Sequence, residues 1–273
     1  MTNAADMRTW PAGASPRYVA ARKRLFEAER DLLDRVQRVA VLRRALPPGA
    51  ALPTYAFVEG PAGDFRRDEP VVATTLAELV GDRGLFVYHM MFAPDWDEGC
   101  PSCSMWVDGL HGVAHHLAQV TSFAVIAKAP LSKLRAWARH RGWSGLRLLS
   151  SHGTSFNADV GAEDADGGQW PRASVFVKRD GVVYHHYTTA MIDNGLDLLT
   201  PVWHVQDLLP QGRGDWEPSN TYAGPASPLP RQGIGALRPG SQRPADLGPA
   251  MNRAPLEDVH EPPETPTTRQ RSR

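Results

Sequence analysis

Two cysteines, Cys100 and Cys103, are the residues of this 273-residue chain whose type and spacing point most directly to chemistry. They are its only cysteines, and they stand in the run Cys-Pro-Ser-Cys. A pair at this spacing is typical of thiol redox chemistry or of half a metal site. Secreted disulfide scaffolds carry several pairs in a smaller chain, and no signal-peptide-like apolar stretch opens this one. We therefore expect a cytoplasmic protein.

The hydrophobic pattern places Cys100 at the start of a helix. An apolar strand at 85–92 and a loop come first, and Pro101 suits the first helical position. Free N–H groups there stabilise a thiolate and lower the pKa of such cysteines from ~8.5 to roughly 3.5–7.5. Cys103 follows one turn later, about 5–6 Å away between Cβ atoms, so the pair can close a disulfide. We predict that Cys100 is the nucleophile and Cys103 the resolving thiol. Three acids just upstream oppose a thiolate: Asp95, Asp97 and Glu98.

Two other interpretations of the cysteines stay open. Three histidines, His111, His115 and His116, follow on the same helix and suggest zinc. However, His111 lies about 12 Å from Cys103 along a continuous helix, whereas a tetrahedral site needs each ligand at roughly 2.0–2.3 Å. These histidines fit a solvated face better, so we predict no metal site and no cofactor. Alternatively, both cysteines are inert core thiols, since free cysteine is commonly buried.

The elements around the pair predict an α/β fold. Strands and helices alternate up to residue 150, and a hairpin turning at Asp180-Gly181 follows. This order is typical of a thioredoxin-like fold: a central mixed sheet flanked by helices. The predicted strands are 55–57, 85–92, 123–127, 146–150, 173–177 and 182–187, and the predicted helices are 76–80, 101–119, 131–140 and a last helix or loop ending near Leu209.

An amphipathic helix from Pro16 to Leu46 precedes this domain, with Ser15 as its N-cap. Its apolar stripe predicts packing on the core domain, and a dimerising coiled coil is the alternative. After Glu217 the apolar period ends, and eleven of 57 residues are proline, which predicts a disordered tail. The predicted domains are residues 1–50 (helical extension), 51–216 (thioredoxin-like domain) and 217–273 (tail).

The charge balance limits the partners. Thirty basic residues match thirty acidic ones, so no net field attracts the chain to nucleic acid or to an acidic membrane surface. No apolar run reaches the roughly 20 residues that cross a bilayer. We expect thiols or disulfides, of proteins or of small molecules, as partners, with no nucleic acid and no membrane, and a homodimer if the N-terminal helix pairs.

Five sequence runs closely resemble the bacterial family known as domain of unknown function 899, which is classed as thioredoxin-like. The resemblance covers Ser15 to Trp216 and implies the fold and the position of the cysteine pair, not an established reaction. The chain departs from the family at Asp193-Asn194, where an arginine is usual before Gly195. The runs are Tyr88–Ser104, Ser155–Asp159, Tyr184–Thr189, Gly195–Asp197 and Asp207–Arg213.

Wider resemblances suggest supporting residues. The motif is similar to the glutaredoxin form Cys-Pro-x-Cys, which includes Pro101, and the layout before it resembles thiol reductases and peroxiredoxins. Arg172 matches a peroxiredoxin arginine that supports the nucleophile, but Asp97 stands where those enzymes carry a peroxide-positioning Thr or Ser. Pro171 is a candidate for the substrate-receiving cis-proline of thioredoxin folds, with an ordinary trans proline as the alternative. Trp96 and Trp106 are candidates to flank the site, with plain packing as the alternative.

Together these features predict a thiol–disulfide oxidoreductase that uses Cys100 and Cys103. Peroxide reduction through a sulfenic acid on Cys100 is the second hypothesis. A non-enzymatic binding module that keeps the thioredoxin fold is the third.

Overall fold

The computed structural model of the chain describes residues 9–61, 64–190 and 199–222. Within them, helices and strands alternate along most of the chain, as the sequence pattern predicts. In chain order the elements are α1 (Pro16–Arg44), β1 (Ala56–Glu59), β2 (Val72–Thr75), α2 (Leu76–Val80), β3 (Leu85–Met90), α3 (Pro101–Leu117), β4 (Ser122–Ala127), α4 (Leu131–Arg141), β5 (Leu148–Ser150), α5 (Phe156–Asp159), β6 (Arg172–Arg179), β7 (Val182–Ala190) and α6 (Pro201–Asp207).

The strands form one mixed sheet in the order β2-β1-β5-β4-β3-β6-β7. Strand β3 is parallel to β4 and antiparallel to β6, and β6 forms a hairpin with β7. A parallel β-α-β unit beside an antiparallel hairpin, with the cysteine helix leaving the central strand, is the thioredoxin-like arrangement. The predicted fold class is thus confirmed. The edge strand β2, which pairs with β1, was missed because its four residues, Val72–Thr75, carry little apolar pattern.

Strand β3 separates two apolar clusters because alternate side chains point to opposite faces. Tyr88 and Met90 pack with Cys103 and the inner sides of α3 and α4. Leu85 and Val87 pack on the other face with α2 and with aromatic side chains of α5 and β6. Burial on both faces explains why this strand is apolar at nearly every position.

Helix α4 is fixed by the buried guanidinium of Arg135, which is 1% exposed. Its N–H groups donate to the backbone carbonyls of Pro61 (3.3 Å), Asp64 (2.7 Å) and Arg67, and to the Asp68 carboxylate (3.1 Å). A charge removed from water needs such partners to be tolerated. Arg135 therefore ties the loop after β1 to α4, the helix that also supports the cysteine loop.

Helix α1 begins after the predicted N-cap, because the Ser15 hydroxyl accepts the Tyr18 N–H (3.2 Å). The expectation that α1 packs on the core domain is wrong, since none of its residues is buried. The chain after the helix joins the sheet, where the Gly49 N–H donates to the His185 carbonyl (3.1 Å), and the Arg43 guanidinium in the last turn of α1 lies over the Tyr187 ring of β7 (5.0 Å). The apolar stripe faces outward along most of its length, a point developed below.

Two expectations fall outside the described residues. The family match Gly195–Asp197 and its departure at Asp193-Asn194 lie there, as does all of the predicted tail after Tyr222. In the described part of the chain, no helix combines the length and the apolar character that crossing a bilayer requires.

Candidate active site

Backbone hydrogen bonds fix Cys100 at the junction between β3 and α3. The Cys100 N–H donates to the carbonyl of Met91 (3.1 Å), one residue past the strand. The Cys100 carbonyl accepts the N–H of Ser104 (2.8 Å), which begins the helix. Pro101 occupies the first helical position, where no backbone donor is required. The Cys100 thiol therefore lies at the helix N-terminus.

Gly99 precedes Cys100 where no side chain fits. A Cβ atom there would overlap Met90 Cε and lie 2.7 Å from Trp137 Nε1. Since neighbours in a packed interior leave little room to move, a larger residue would displace the end of β3 or α4. The close approach of the backbone to these two side chains sets the position of Cys100.

Helix α4 holds the rest of the loop. The Lys133 ammonium donates to the carbonyls of Pro94 (2.8 Å) and Trp96 (2.9 Å), which turns the loop back toward the helix. The Trp137 indole N–H donates to the Ser104 hydroxyl (3.0 Å) and so joins α4 to the first turn of α3. Trp96 is partly buried against the apolar cluster that Cys100 also contacts, and its flanking of the site stays a prediction.

Cys100 is partly exposed, and its pKa is lowered to about 7. The largest cause is a hydrogen bond from the Cys103 thiol; burial opposes it, and the N–H groups of Cys103 and Ser102 add to it. Asp95 and Asp97 are exposed to solvent. The donors at the helix start therefore outweigh the acids upstream, a balance that the sequence left open.

Cys103 has the opposite character. Its side chain is 1% exposed, and burial, followed by its contact with Cys100, raises the pKa of the thiol. A hydrogen bond with the Tyr88 side chain and the Met91 N–H (3.4 Å to Sγ) offset this only in part. At neutral pH Cys103 keeps its proton and donates it toward Cys100, so the two thiols differ in both access and charge.

Pro171 lies at the same end of the sheet as the cysteine loop. It directly precedes Arg172, which pairs with His89 near the end of β3. Among the described residues the cis peptide bond is that of Glu69–Pro70, so Pro171 follows a trans bond, as in the alternative given above.

The structure does not bring Arg172 to Cys100. Its Nε donates to the carbonyl of Gly161 (3.0 Å). Its partner in the sheet, His89, stacks on Phe156 in the cluster opposite the cysteines. Directly paired residues share a face of the sheet, so the arginine side chain points away from the nucleophile.

The helix histidines also lie apart from the cysteine pair. His111 Nε2 accepts the N–H of Ser144 (3.1 Å), and the rings of His115 and His116 lie against each other. Within the part of the chain that the structure describes, no three His, Cys, Asp or Glu side chains cluster closely enough to hold a metal ion.

One contact comes from the segment assigned to the tail. The Asn220 amide donates to the carbonyl of Gly99 (3.0 Å) and to the Glu98 carboxylate (2.9 Å), directly before Cys100. The Asn220 Oδ1 atom is buried without a partner. The rings of Trp216 and Tyr222, which lie on either side of Asn220 in the sequence, stack at a centroid distance of 6.2 Å.

Sequence reasoning missed three residues that contact the site: Tyr88, Lys133 and Asn220. Tyr88 could have been found, because strand alternation places it on the same face as Met90, beside the cysteine helix. No local signal marks Lys133 or Asn220, whose partners lie more than 30 residues away in the chain.

One family model matches most of the chain. Residues 7–225 match the model of a family described as "Bacterial protein of unknown function (DUF899)". No curated protein matches the chain at a significant level.

Several solved structures match about half of the chain. A putative thioredoxin reductase from Burkholderia cenocepacia is 19% identical, with a TM-score of 0.41 over 54% of this chain and 90% of that chain. The AhpC protein of Mycobacterium tuberculosis is 13% identical, with a TM-score of 0.40 over 54% and 88%. Prx3 of Vibrio vulnificus is 18% identical, with a TM-score of 0.39 over 53% and 87%.

The unequal thiols predict unequal alkylation. Iodoacetamide should modify Cys100 much faster than Cys103 in the folded protein, because the thiolate reacts and Cys103 is buried and protonated. The rate should rise through about pH 7 and level off above it, since a lowered pKa means that the thiolate is fully formed above that pH. Peptide mass spectrometry across a pH series measures this. Equal, slow modification of both thiols would contradict it.

The Asn220 contact predicts where truncation begins to matter. Ending the chain after Tyr222 should leave the melting temperature unchanged, whereas ending it after Trp216 should lower it by roughly 2–4 °C. Loss of one partly buried hydrogen-bonding group, about 1 kcal/mol, accounts for this shift. Asn220→Ala in the full chain should reproduce it, and Asn252→Ala is the control. Equal melting temperatures for both truncations would show that the contact contributes nothing.

Proposed function

The chain belongs to the bacterial family DUF899, and we propose that it catalyses thiol–disulfide exchange through Cys100 and Cys103. The observation that carries the proposal is the difference between two neighbouring thiols. One is accessible with a pKa of about 7, and the other is buried with a raised pKa. A nucleophile and a resolving thiol require this division of roles.

In the first step, the Cys100 thiolate attacks one sulfur of a substrate disulfide. A Cys100–substrate disulfide forms, the substrate S–S bond breaks, and the departing substrate sulfur leaves as a thiolate that takes a proton from water. The hydrogen bond from Cys103 and the N–H groups of the first helical turn hold Cys100 as the thiolate before attack. Once Cys100 is bonded to substrate, it no longer carries the charge that opposed ionisation of Cys103.

In the second step, Cys103 loses its proton and attacks the Cys100 sulfur. The mixed disulfide breaks, the Cys100–Cys103 disulfide forms, and the second substrate sulfur leaves as a thiol. The substrate gains two electrons and the protein loses two. Tyr88 and the Met91 N–H are placed to donate hydrogen bonds to the Cys103 thiolate as it forms. A thiol reductant then restores the pair, and no cofactor takes part.

The substrate class is a disulfide of a protein or a small molecule. We assign substrate contact to Trp96, which packs on the same apolar cluster as Cys100, and to Pro101, the next residue in the chain. Pro171, at the same end of the sheet, is assigned to it as a trans proline. The lone pair of thiols fits the cytoplasm, where glutathione and thioredoxin systems keep such pairs reduced.

Peroxide reduction is less well supported. The position that would hold the peroxide is Asp97, a carboxylate that would repel the charge developing on the leaving oxygen. The candidate arginine, Arg172, bonds to Gly161 on the opposite face of the sheet. Neither element that such chemistry needs is therefore next to Cys100.

Substitution of each cysteine tests the assigned roles. Cys103→Ser should accumulate a mixed disulfide with oxidised glutathione, because Cys100 attacks and nothing releases it. Cys100→Ser should trap none, because Cys103 is buried. Both variants should lose turnover of a small disulfide in the presence of a thiol reductant, and intact mass spectrometry identifies the adduct. Ser144→Ala is the control, because this exposed serine lies beside His111 and apart from the cysteine pair, and it should retain turnover.

Two results would contradict the proposal. Absence of any adduct on Cys103→Ser, with both variants folded, would favour a non-enzymatic binding module. Oxidation of the wild-type protein by hydrogen peroxide as fast as by a small disulfide, in stopped flow, would favour a peroxidase.

Tyr88→Phe should slow the resolving step and leave the first attack unchanged. A hydrogen bond to a charged group contributes about 1.5–3 kcal/mol, so release of the mixed disulfide should slow by roughly tenfold or more. Rapid-quench measurement of adduct decay reports release, and the Cys100 alkylation rate reports attack. Tyr187→Phe, remote from the pair, is the control. Parallel slowing of both steps would show that Tyr88 only maintains the structure.

A further inference from the structure

Helix α1 presents a long apolar stripe to solvent. Its 29 residues extend about 43 Å, and its large apolar side chains remain 40–61% exposed along the middle of the helix. An isolated helix is marginal in water, and a continuous apolar surface of this kind marks a contact site. The stripe in the middle consists of Leu25, Phe26, Leu32, Leu33, Val36 and Val39.

Two charged residues lie in the centre of this stripe. At 100° per residue, Arg22 and Glu29 fall on the same side of the helix as Leu25 and Leu33. The Arg22 side chain extends seven residues along the stripe to bond Glu29 (2.9 Å) and is only 20% exposed. A charged pair inside an apolar contact surface is a device that selects one register and one partner orientation.

We propose that this stripe pairs with the same stripe of a second copy of the chain, with the two helices antiparallel. In the register that places Leu25 of one copy next to Phe26 of the other, Arg22 of each copy faces Glu29 of the other. The same register joins Tyr18 with Leu33. The same surface of each copy then forms both halves of a two-fold symmetric interface.

The charges distinguish this pairing from its alternatives. A parallel pair would place Arg22 against Arg22 and Glu29 against Glu29 in a dry interface, which is strongly unfavourable. An anionic lipid surface would place the Glu29 carboxylate against headgroups of the same charge. Only the antiparallel pair of identical helices gives both charges an opposite partner from the other copy.

The edges of the stripe predict an unusual salt dependence. They are mostly basic, so the two copies repel each other at the rim, and salt screens this repulsion. The dimer should therefore become tighter as ionic strength rises. Docking on an anionic membrane or on an acidic partner protein would instead become weaker as the ionic strength rises. The edge residues are Arg17, Lys23, Arg24, Arg30 and Arg35.

Charge reversal tests the pairing with the full-length protein. Wild type should sediment as a dimer, and Arg22→Glu or Glu29→Arg alone should raise the dissociation constant by at least roughly tenfold. An equimolar mixture of the two variants should recover dimers, because the glutamate introduced in one variant then meets the arginine introduced in the other. The bond within one helix stays broken in both variants, so only contact between copies explains recovery. Arg38→Glu, on the opposite face, is the control.

Several outcomes would overturn the proposal. These are a monomeric wild type, dimers insensitive to both single reversals, a mixture that stays monomeric, or a dimer that a chain ending at Tyr222 no longer forms. Because α1 buries none of its residues, the variants should keep the wild-type circular dichroism and Cys100 alkylation rate. A change in either would identify misfolding, and Leu33→Glu in the full chain, which leaves the charged pair intact, then tests the dimer and should make the protein monomeric.

Discussion

The hydrogen bond from the Cys103 thiol to the Cys100 sulfur is the interaction on which the candidate site depends. It is the largest cause of the lowered pKa of Cys100, and the same contact helps to raise the pKa of Cys103. One proton shared unequally between two sulfurs thus accounts for both of the proposed roles. Ionising one thiol disfavours ionising its neighbour, so the second thiolate becomes accessible only when the first sulfur has been bonded.

The surrounding structure serves to keep these two sulfurs in place. Gly99 allows the backbone to lie against Met90 and Trp137, and Lys133 holds the carbonyls of the loop. Helix α4 carries two of these groups and is itself fixed by Arg135. The rigidity of the site therefore comes mainly from a helix that contains no cysteine.

The cysteine helix α3 and the N-terminal helix α1 differ in which of their groups are exposed to solvent. The cysteine helix has one thiol inside the core cluster and one that is partly exposed, which leaves a single sulfur accessible to solvent. Helix α1 is the reverse case, an amphipathic element with its apolar side outward. The first arrangement suits chemistry on a small exposed group, and the second suits association over a long surface.

Local patterns in the sequence were sufficient for much of this. Periodicity, caps and turn residues report interactions within a few residues, and so they predicted the helices, most strands, the thioredoxin-like order and the position of Cys100 at a helix start. Tertiary structure decided four other features. These are the side of the sheet that Arg172 faces, the exposure of α1, the contact from Asn220, and the larger effect of the helix donors over the upstream acids on the pKa of Cys100. Each depends on groups brought together across long stretches of chain, such as the 121 residues between Asn220 and Gly99. No short-range pattern encodes this hydrogen bond, because its two groups meet only after the core has folded.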